Sequence, residues 1–452
     1  MAYCYISTHF SDVLIFSDFS GKMDQSNVYI ETYGCQMNKL DSENVAAVLE
    51  DSGYSVVDDL KQADIILMNT CGVREKAEDR IHGRLGELSS MRVKKPHLMF
   101  GVIGCMAQRL ESALLSKVVS IVAGPDSYRR LPELLHRARQ EQVIDTMLNV
   151  AETYDDIEPV RSDGHSAWVA VMRGCNNFCS YCIVPYTRGR ERSLARENVI
   201  GQVERLVEQG FSEVTLLGQN VNSYHDGDTG FAELLAQIAD TGIPWIRFLT
   251  SHPADLSDDI LSVMAERDSI CPHLHLPLQS GSDNVLKAMR RRYSIEHYLS
   301  VVDKAREYID GLAVTTDLIF GFPGETEEDY QATIDVMNRV RFDYGFLYRY
   351  SEREGTKACD LEGHIPEELR YKRLNAAIAI QQKITSERHE ELVGSTQRVL
   401  IKDRSKDGKG WFGFSGLSIP VVVRGLDESG PGSFADVTIT GTTGASLIGK
   451  CS

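Results

Sequence analysis

The 452-residue sequence predicts a mixed α/β protein in three parts: an N-terminal parallel α/β domain, an open, partial TIM-like barrel of six β/α units, and a small C-terminal all-β barrel. Three observations predict this. Short apolar strands alternate with longer helical stretches from residue 27; a second, longer run of the same alternation begins near residue 166; and from about residue 394 the pattern changes to short β runs rich in glycine.

In the first part, "NVYIETYG", "ADIILMNT" and "HLMFGVIG" read as strands, with "LDSENVAAVLEDSG" and "REKAEDRIHGRLGEL" as helices between them, a parallel βαβαβ arrangement over residues 26–140. Each strand runs into a cysteine: Cys35, Cys71 and Cys105. Open parallel sheets bind ligands at the carboxyl ends of their strands, so these three are expected to converge although they lie far apart in sequence. Gly34, Gly72 and Gly104 beside them would let backbone approach a bulky ligand. The plain alternative is three small buried hydrophobes that end strands.

Residues 141–165 are acidic and weakly periodic, which suits a linker. The second part, residues 166–393, has strands at "AWVAVMRG", "EVTLLGQN", "WIRFLTS", "HLHLPLQS", "LAVTTDLIFGF" and "FDYGFLYRYS", with helices such as "RENVIGQVERLVEQG" between them. The loop after the first of these strands carries "RGCNNFCSYC", a C-x3-C-x2-C run that places Cys175, Cys179 and Cys182 on the face where such barrels keep their active sites. Three is the informative count. Structural zinc takes four protein ligands and disulfides take cysteines in pairs, whereas a four-iron cluster held by three thiolates leaves one iron open. Residues 394–452, with "TQRVLIKD", "SIPVVVRG", "ADVTITG" and "ASLIGK", form the β module.

Composition narrows the setting. No run reaches the roughly 18 apolar residues of a membrane helix, so no membrane partner is expected. Residues 1–25 lack a basic start and are interrupted by His9, Asp12 and Asp18, a poor export signal; they are expected to be a disordered tail, or to precede a true start at Met23. Ten cysteines without an export signal point to a reducing, cytoplasmic location and to thiols that ligate metal. A net charge of −17 argues against indiscriminate nucleic-acid binding, so an RNA substrate would need local basic patches. Two are present: Arg188, Arg190, Arg192 and Arg196, then Lys287, Arg290, Arg291 and Arg292. Cys4, Cys271, Cys359 and Cys451 lack ligand-like company, and His273 and His275 alternate as strand residues that hydrogen-bond.

With "ETYGCQMNKLDSE", "MNTCGVREKAEDR", "RGCNNFCSYCIVPYTRGRERS", "LLGQNVNSY", "LPLQSGSDNVLKAMRRRY" and "DLIFGFPGETEEDY" in this order, the chain resembles the radical S-adenosylmethionine methylthiotransferases, and within them the MiaB type that modifies tRNA, over roughly residues 27–452. The resemblance implies two [4Fe-4S] clusters. One, on Cys175, Cys179 and Cys182, chelates S-adenosyl-L-methionine and cleaves it to a 5'-deoxyadenosyl radical; the other, on Cys35, Cys71 and Cys105, carries the sulfur to be inserted. It implies a radical SAM barrel, with Gln219, Asn220 and Ser280 as candidate contacts to S-adenosylmethionine and Tyr181 near its adenine. The C-terminal module resembles a TRAM domain, an RNA-binding barrel, although "FGFSGLSIPVVVRG" lacks the polar Arg-Thr and Asn-Lys pattern of comparable members, which puts its RNA contacts in doubt. The expected reaction is methylthiolation of C2 of N(6)-isopentenyladenosine next to the anticodon; the rivals are threonylcarbamoyladenosine in tRNA, a ribosomal-protein aspartate, and a non-enzymatic iron-sulfur electron carrier. The "TYGCQMN" and "NTCGVREKAE" segments favour the isopentenyl class. Expected partners are a tRNA anticodon stem-loop, an electron donor such as flavodoxin or ferredoxin, and a sulfur or cluster donor.

Overall fold

The computed structural model describes residues 26–451, apart from 73, 74, 117, 162 and 427–429; the expected tail at 1–25 lies outside the described residues. The N-terminal domain is a six-stranded parallel sheet of β1 (Asn27–Tyr33), β2 (Ser55–Val56), β3 (Ile65–Thr70), β4 (Met99–Gly104), β5 (Val119–Ala123) and β6 (Val143–Asp145), in the order β2-β1-β3-β4-β5-β6. The chain leaves β1 in one direction toward β2 and then crosses to β3 on the other side, so the order switches at β1 and β3, where such sheets open a crevice. The expected linker starts differently from the sequence reading. Residues 143–145 pair with β5 and close the sheet, too short a segment for its alternation to be seen.

Helix α1 (Gln36–Asp51) begins at Cys35 and serves two cores. Val45 and Leu49 pack under the N-terminal sheet, while Met37 and Leu40 belong to the apolar core of the barrel, with Val169, Val171 and Leu194. Full burial of two such side chains is worth about 1.5–3 kcal/mol each, and it fixes the first domain against the second.

The barrel strands are Ser166–Ala170, Glu213–Leu217, Trp245–Phe248, His273–His275, Ala313–Phe320 and Tyr344–Arg349. They form two parallel three-stranded sheets, joined by a bridge between Ile246 and Ile270. The first and sixth strands do not pair, which leaves the barrel open, as the sequence predicts. A 24-residue helix, Glu367–Glu390, packs along the sixth strand and leads into the C-terminal module. That module is a closed five-stranded barrel, one strand of which, Trp411–Ser415, was not read from the sequence.

The module docks where the barrel strands start. Arg247 of the third strand donates to Glu213 Oε2 at 2.7 Å, to the carbonyls of Ser415 and Gly416 at 2.8 and 2.9 Å, and to Ser418 Oγ at 2.6 Å. Lys402 reaches Glu213 Oε1 at 3.1 Å and also Ser166. Residues 415–418 lie within the segment whose RNA contacts the sequence left in doubt. Here they close the base of the barrel.

Candidate active site with two groups of three cysteines

Cys35, Cys71 and Cys105 follow three strands, β1, β3 and β4, that are neighbours in the sheet. Two asparagines align their ends. Asn38 Nδ2 donates to Asn69 Oδ1 at 3.1 Å and Asn69 Nδ2 donates back to the Asn38 carbonyl at 2.8 Å, both side chains fully buried. Asn38 Oδ1 also accepts from the Cys35 N–H at 3.3 Å. Gly104 completes the arrangement: its φ of +93° is open to glycine, and a Cβ there would lie 2.5 Å from Asn69 Oδ1.

The thiols interact. A hydrogen bond from Cys71 is the main reason that the Cys35 pKa drops to about 6, against burial and with help from Arg188. Burial pushes Cys105 up, with Arg188 opposing it. Arg188 reaches this site from the barrel, because the helix bearing Cys105, Cys105–Leu110, packs on the short helix Val184–Thr187 that precedes it.

Cys175, Cys179 and Cys182 sit in the loop above the first barrel strand. The loop turns at Gly174, whose φ is +76° and whose Cβ would lie 2.1 Å from the Arg190 carbonyl. The Gly174 N–H donates to Gln219 Oε1. The Cys175 sulfur accepts from the Asn177 N–H at 3.5 Å and the Cys179 sulfur from Arg291 Nη1 at 3.5 Å. Burial raises Cys175, and burial with the nearby Cys179 charge pushes Cys182 up to about 12. Desolvated thiols of this kind give up their protons when a cationic metal centre takes their place.

The nine described cysteines form no disulfide. Among the described residues no three Cys, His, Asp or Glu side chains close on a single metal ion. A four-iron cluster asks for something wider, since each thiolate binds a different iron. All-thiol donor sets of three, largely buried and flanked by guanidinium groups, fit such a cluster at both places. Asn220 Oδ1 and Ser251 Oγ, at the ends of the second and third barrel strands, are buried without a partner, as is Arg188 Nη1. These are vacant polar contacts for a ligand.

The other sequence-predicted residues divide. Asn220 Nδ2 holds Asp255 at 2.7 Å and its carbonyl is the vacant group. Gln219 holds the Gly174 turn. Ser280 is 1 % exposed and its hydroxyl lies against Thr333 and the Ser282 N–H, so it braces the strand end rather than presenting itself. Tyr181 packs edge-on against Phe322, in an apolar cluster with Val285, Met289 and Tyr350. His273 and His275 both bond Thr315 Oγ1 at 3.0 Å.

The reading of the arginine clusters needs correcting. Arg188 pairs with Asp41 at 2.6 Å, Arg192 with Asp126 at 3.0 Å, and Arg291 bonds Cys179 and the Pro277 carbonyl. None of these three is available to phosphate. Arg190, Lys287 and Arg290 are exposed, and the last two make no ion pair among the described residues. In the module, Lys402 is taken by Glu213 and Arg398 lies over Phe434, while Arg404, Lys406 and Lys409 are exposed. Sequence reasoning also missed Asn38, Asn69, Asp41 and Arg173. An acid and two amides on the buried side of a strand-helix turn are the signal that could have found the first three.

Three family profiles match: "Uncharacterized protein family UPF0004" over residues 27–124, the "Radical SAM superfamily" over 169–337 and the "TRAM domain" over 390–451. A tRNA-2-methylthio-N(6)-dimethylallyladenosine synthase of Chloroherpeton thalassium is 44% identical over 434 residues, 94% of this chain and 96% of the relative. Another of the same name, from Bacteroides fragilis, is 43% identical over 439 residues, 94% of this chain and 96% of the relative. Among solved structures, the radical S-adenosylmethionine methyltransferase TsrM of Kitasatospora setae superposes with a TM-score of 0.54 at 16% identity, covering 71% of this chain and 72% of that one. The cobalamin-dependent S-adenosylmethionine radical enzyme OxsB reaches 0.53 at 12% identity over 79% of this chain and 56% of that one; both likenesses concern the fold. With near-complete coverage at this identity, the chain belongs to the radical S-adenosylmethionine methylthiotransferases, in the family of the tRNA-2-methylthio-N(6)-dimethylallyladenosine synthases.

Proposed function

We propose that the protein is a tRNA-2-methylthio-N(6)-dimethylallyladenosine synthase, which replaces the C2 hydrogen of N(6)-isopentenyladenosine beside the anticodon by a methylthio group. The observation that carries this reading is the near-complete match to relatives of that name; two separate groups of three cysteines, on domains joined by the packing of α1 into the barrel core, support it. A radical is the appropriate agent, because side-chain acids and bases cannot break an unactivated aromatic C–H bond.

Cys175, Cys179 and Cys182 would hold one [4Fe-4S] cluster and Cys35, Cys71 and Cys105 a second. When bound, the first supplies reductive cleavage of S-adenosylmethionine and the second a site for sulfur. The chain's own residues orient and enclose. Gln219 fixes the turn that presents the three cysteines, and Arg291 donates to Cys179. Of the four residues assigned to S-adenosylmethionine, Asn220 offers a vacant acceptor, while Gln219, Ser280 and Tyr181 shape the walls. Anticodon-arm phosphates would meet Arg190, Lys287 and Arg290 on the cysteine face. An external reductant such as flavodoxin or ferredoxin and a sulfur or cluster donor complete the reaction. The thiol sites call for a reducing compartment, the cytoplasm; no helix among the described residues is long and apolar enough to cross a membrane.

The test is anaerobic incubation with dithionite, S-adenosylmethionine and defined tRNA, followed by mass spectrometry of the nucleosides. Prenylated tRNA should gain the methylthio mass, and unmodified tRNA should react poorly, since an unfilled apolar pocket forfeits about 0.8 kcal/mol per CH2. Equal turnover of both, or reaction on a ribosomal protein instead, would defeat the substrate assignment.

A further inference from the structure

Arg290, Arg291 and Arg292 are adjacent in sequence, and the fold sends them in different directions. The helix Asp283–Ala288 ends in a left-handed turn at Arg290, whose φ is +58°. The Arg290 N–H donates to the Lys287 carbonyl at 3.0 Å and the Arg291 N–H to the Leu286 carbonyl at 2.8 Å, the pair of bonds that closes a helix at such a turn. Arg290 is left exposed and Arg291 is swung inward, half-buried. Arg292 goes to Asp255, reaching both of its carboxylate oxygens at 3.1 Å, and to Asn177 Oδ1 at 2.7 Å.

Arg291 meets no carboxylate among the described residues; the groups that favour its charge are Tyr293, Tyr181 and Cys179. Its Nε donates to the Tyr293 hydroxyl at 3.1 Å, its Nη2 to the Pro277 carbonyl at 3.1 Å and its Nη1 to the Cys179 sulfur at 3.5 Å. All three nitrogens are engaged, so the guanidinium is fixed. The same helix end grips the cysteine loop, since Ser180 donates its N–H to the Met289 carbonyl at 3.0 Å and its hydroxyl to the Ala288 carbonyl at 2.8 Å. One short segment therefore sets both the place of the loop and the place of the charge. Reduction adds a negative charge to a four-iron cluster, and a cation that donates to a ligand sulfur stabilises the reduced form more than the oxidised one.

We propose that Arg291 is a positioning residue that raises the reduction potential of the barrel cluster, acting through Cys179 with a guanidinium that no carboxylate neutralises. The assignment rests on reading Cys175, Cys179 and Cys182 as a cluster site. The electron comes from the external reductant, and the raised potential eases its transfer.

The test uses the full chain with Cys35→Ala, Cys71→Ala and Cys105→Ala, reconstituted with iron and sulfide and titrated without S-adenosylmethionine or RNA. The electron paramagnetic resonance signal of the reduced state then reports the barrel cluster alone, whichever substrate the protein modifies. Arg291→Met removes the charge and leaves the Pro277 carbonyl a second donor, the Tyr293 hydroxyl at 3.2 Å. It should keep about four iron atoms per chain. At a fixed potential its ratio of reduced to oxidised cluster should fall about tenfold, a midpoint more negative by about 59 mV. Arg291→Lys keeps the charge but loses the fixed fork of donors, and its midpoint should lie between the two. Arg291→Gln, neutral but still an N–H donor, should shift in the same direction as Arg291→Met. An unchanged midpoint in the neutral variants with iron retained would overturn the proposal. Loss of iron from both neutral variants would also overturn it, because Arg291 would then hold the loop together and not set its potential. A parent background that binds no iron would refute the cluster reading, and the assignment would fall with it.

Discussion

Asn69 is a single side chain on which the N-terminal site depends. It bonds Asn38 twice and fills the space that Gly104 leaves, so Asn69→Ala strands buried amide groups beside three cysteines. The expected cost is about 1–3 kcal/mol; thermal unfolding measures it, and iron counting should show partial loss from the N-terminal site with S-adenosylmethionine cleavage retained. The six cysteines were legible in the sequence because their meaning lies in spacing and in strand ends. The arginines were not. Whether Arg188 faces a phosphate or a carboxylate depends on Asp41, 147 residues away, and a local run of positive charge reads the same in either case. Asn220 and Ser280 look alike as strand-end polar residues and are equally buried, and only their partners separate the vacant amide oxygen from the bound hydroxyl.

At the scale of elements, the turn at Gly174 carries the barrel's cysteine loop. Its positive φ and the nearby Arg190 carbonyl leave no room for a methyl group, so Gly174→Ala should lose the iron of that loop, about four atoms per chain, while the N-terminal site keeps its own. Retention of the full iron content would show that the loop closes some other way. Helix α1 offers a second test: Leu40→Ala, which empties a place in the barrel core from the other domain, should cost about 2–5 kcal/mol in thermal unfolding. Alternating strands and helices were readable wherever one face is buried over several residues. The helix Glu367–Glu390 escaped because it buries Arg373, Gln381, Thr385 and His389 along with Ala377 and Ile384, and so shows no apolar stripe. Strand β6 escaped because three residues in an acidic stretch carry no pattern.

For the whole molecule, the C-terminal module and the cysteine loops lie at opposite ends of the barrel, so an RNA that touches both must run along its side. Glu213 holds the module in place. Burial opposes its ionisation, but Arg247 and Lys402 more than offset that and keep its carboxyl below the usual range. Its contribution is present above the unfolded value, about 4.3, and is lost as pH falls through the lower folded value. The module should therefore undock in acid below about pH 4, as cleavage between domains in limited proteolysis, and Glu213→Gln should make docking weaker and flat across that range. On the cysteine face, Lys287→Ala with Arg290→Ala should weaken tRNA binding and reduce the slope of log affinity against log salt by roughly 0.7–0.9 per lost contact; an unaltered slope would place the RNA elsewhere. The division of labour between the two cysteine sites is the central claim. It is tested most directly by giving prenylated tRNA, dithionite and S-adenosylmethionine to the Cys35→Ala, Cys71→Ala, Cys105→Ala variant and measuring 5'-deoxyadenosine and modified nucleoside together. Cleavage of S-adenosylmethionine with no methylthio product is the predicted result, and methylthio product at the level of the unaltered protein would contradict it.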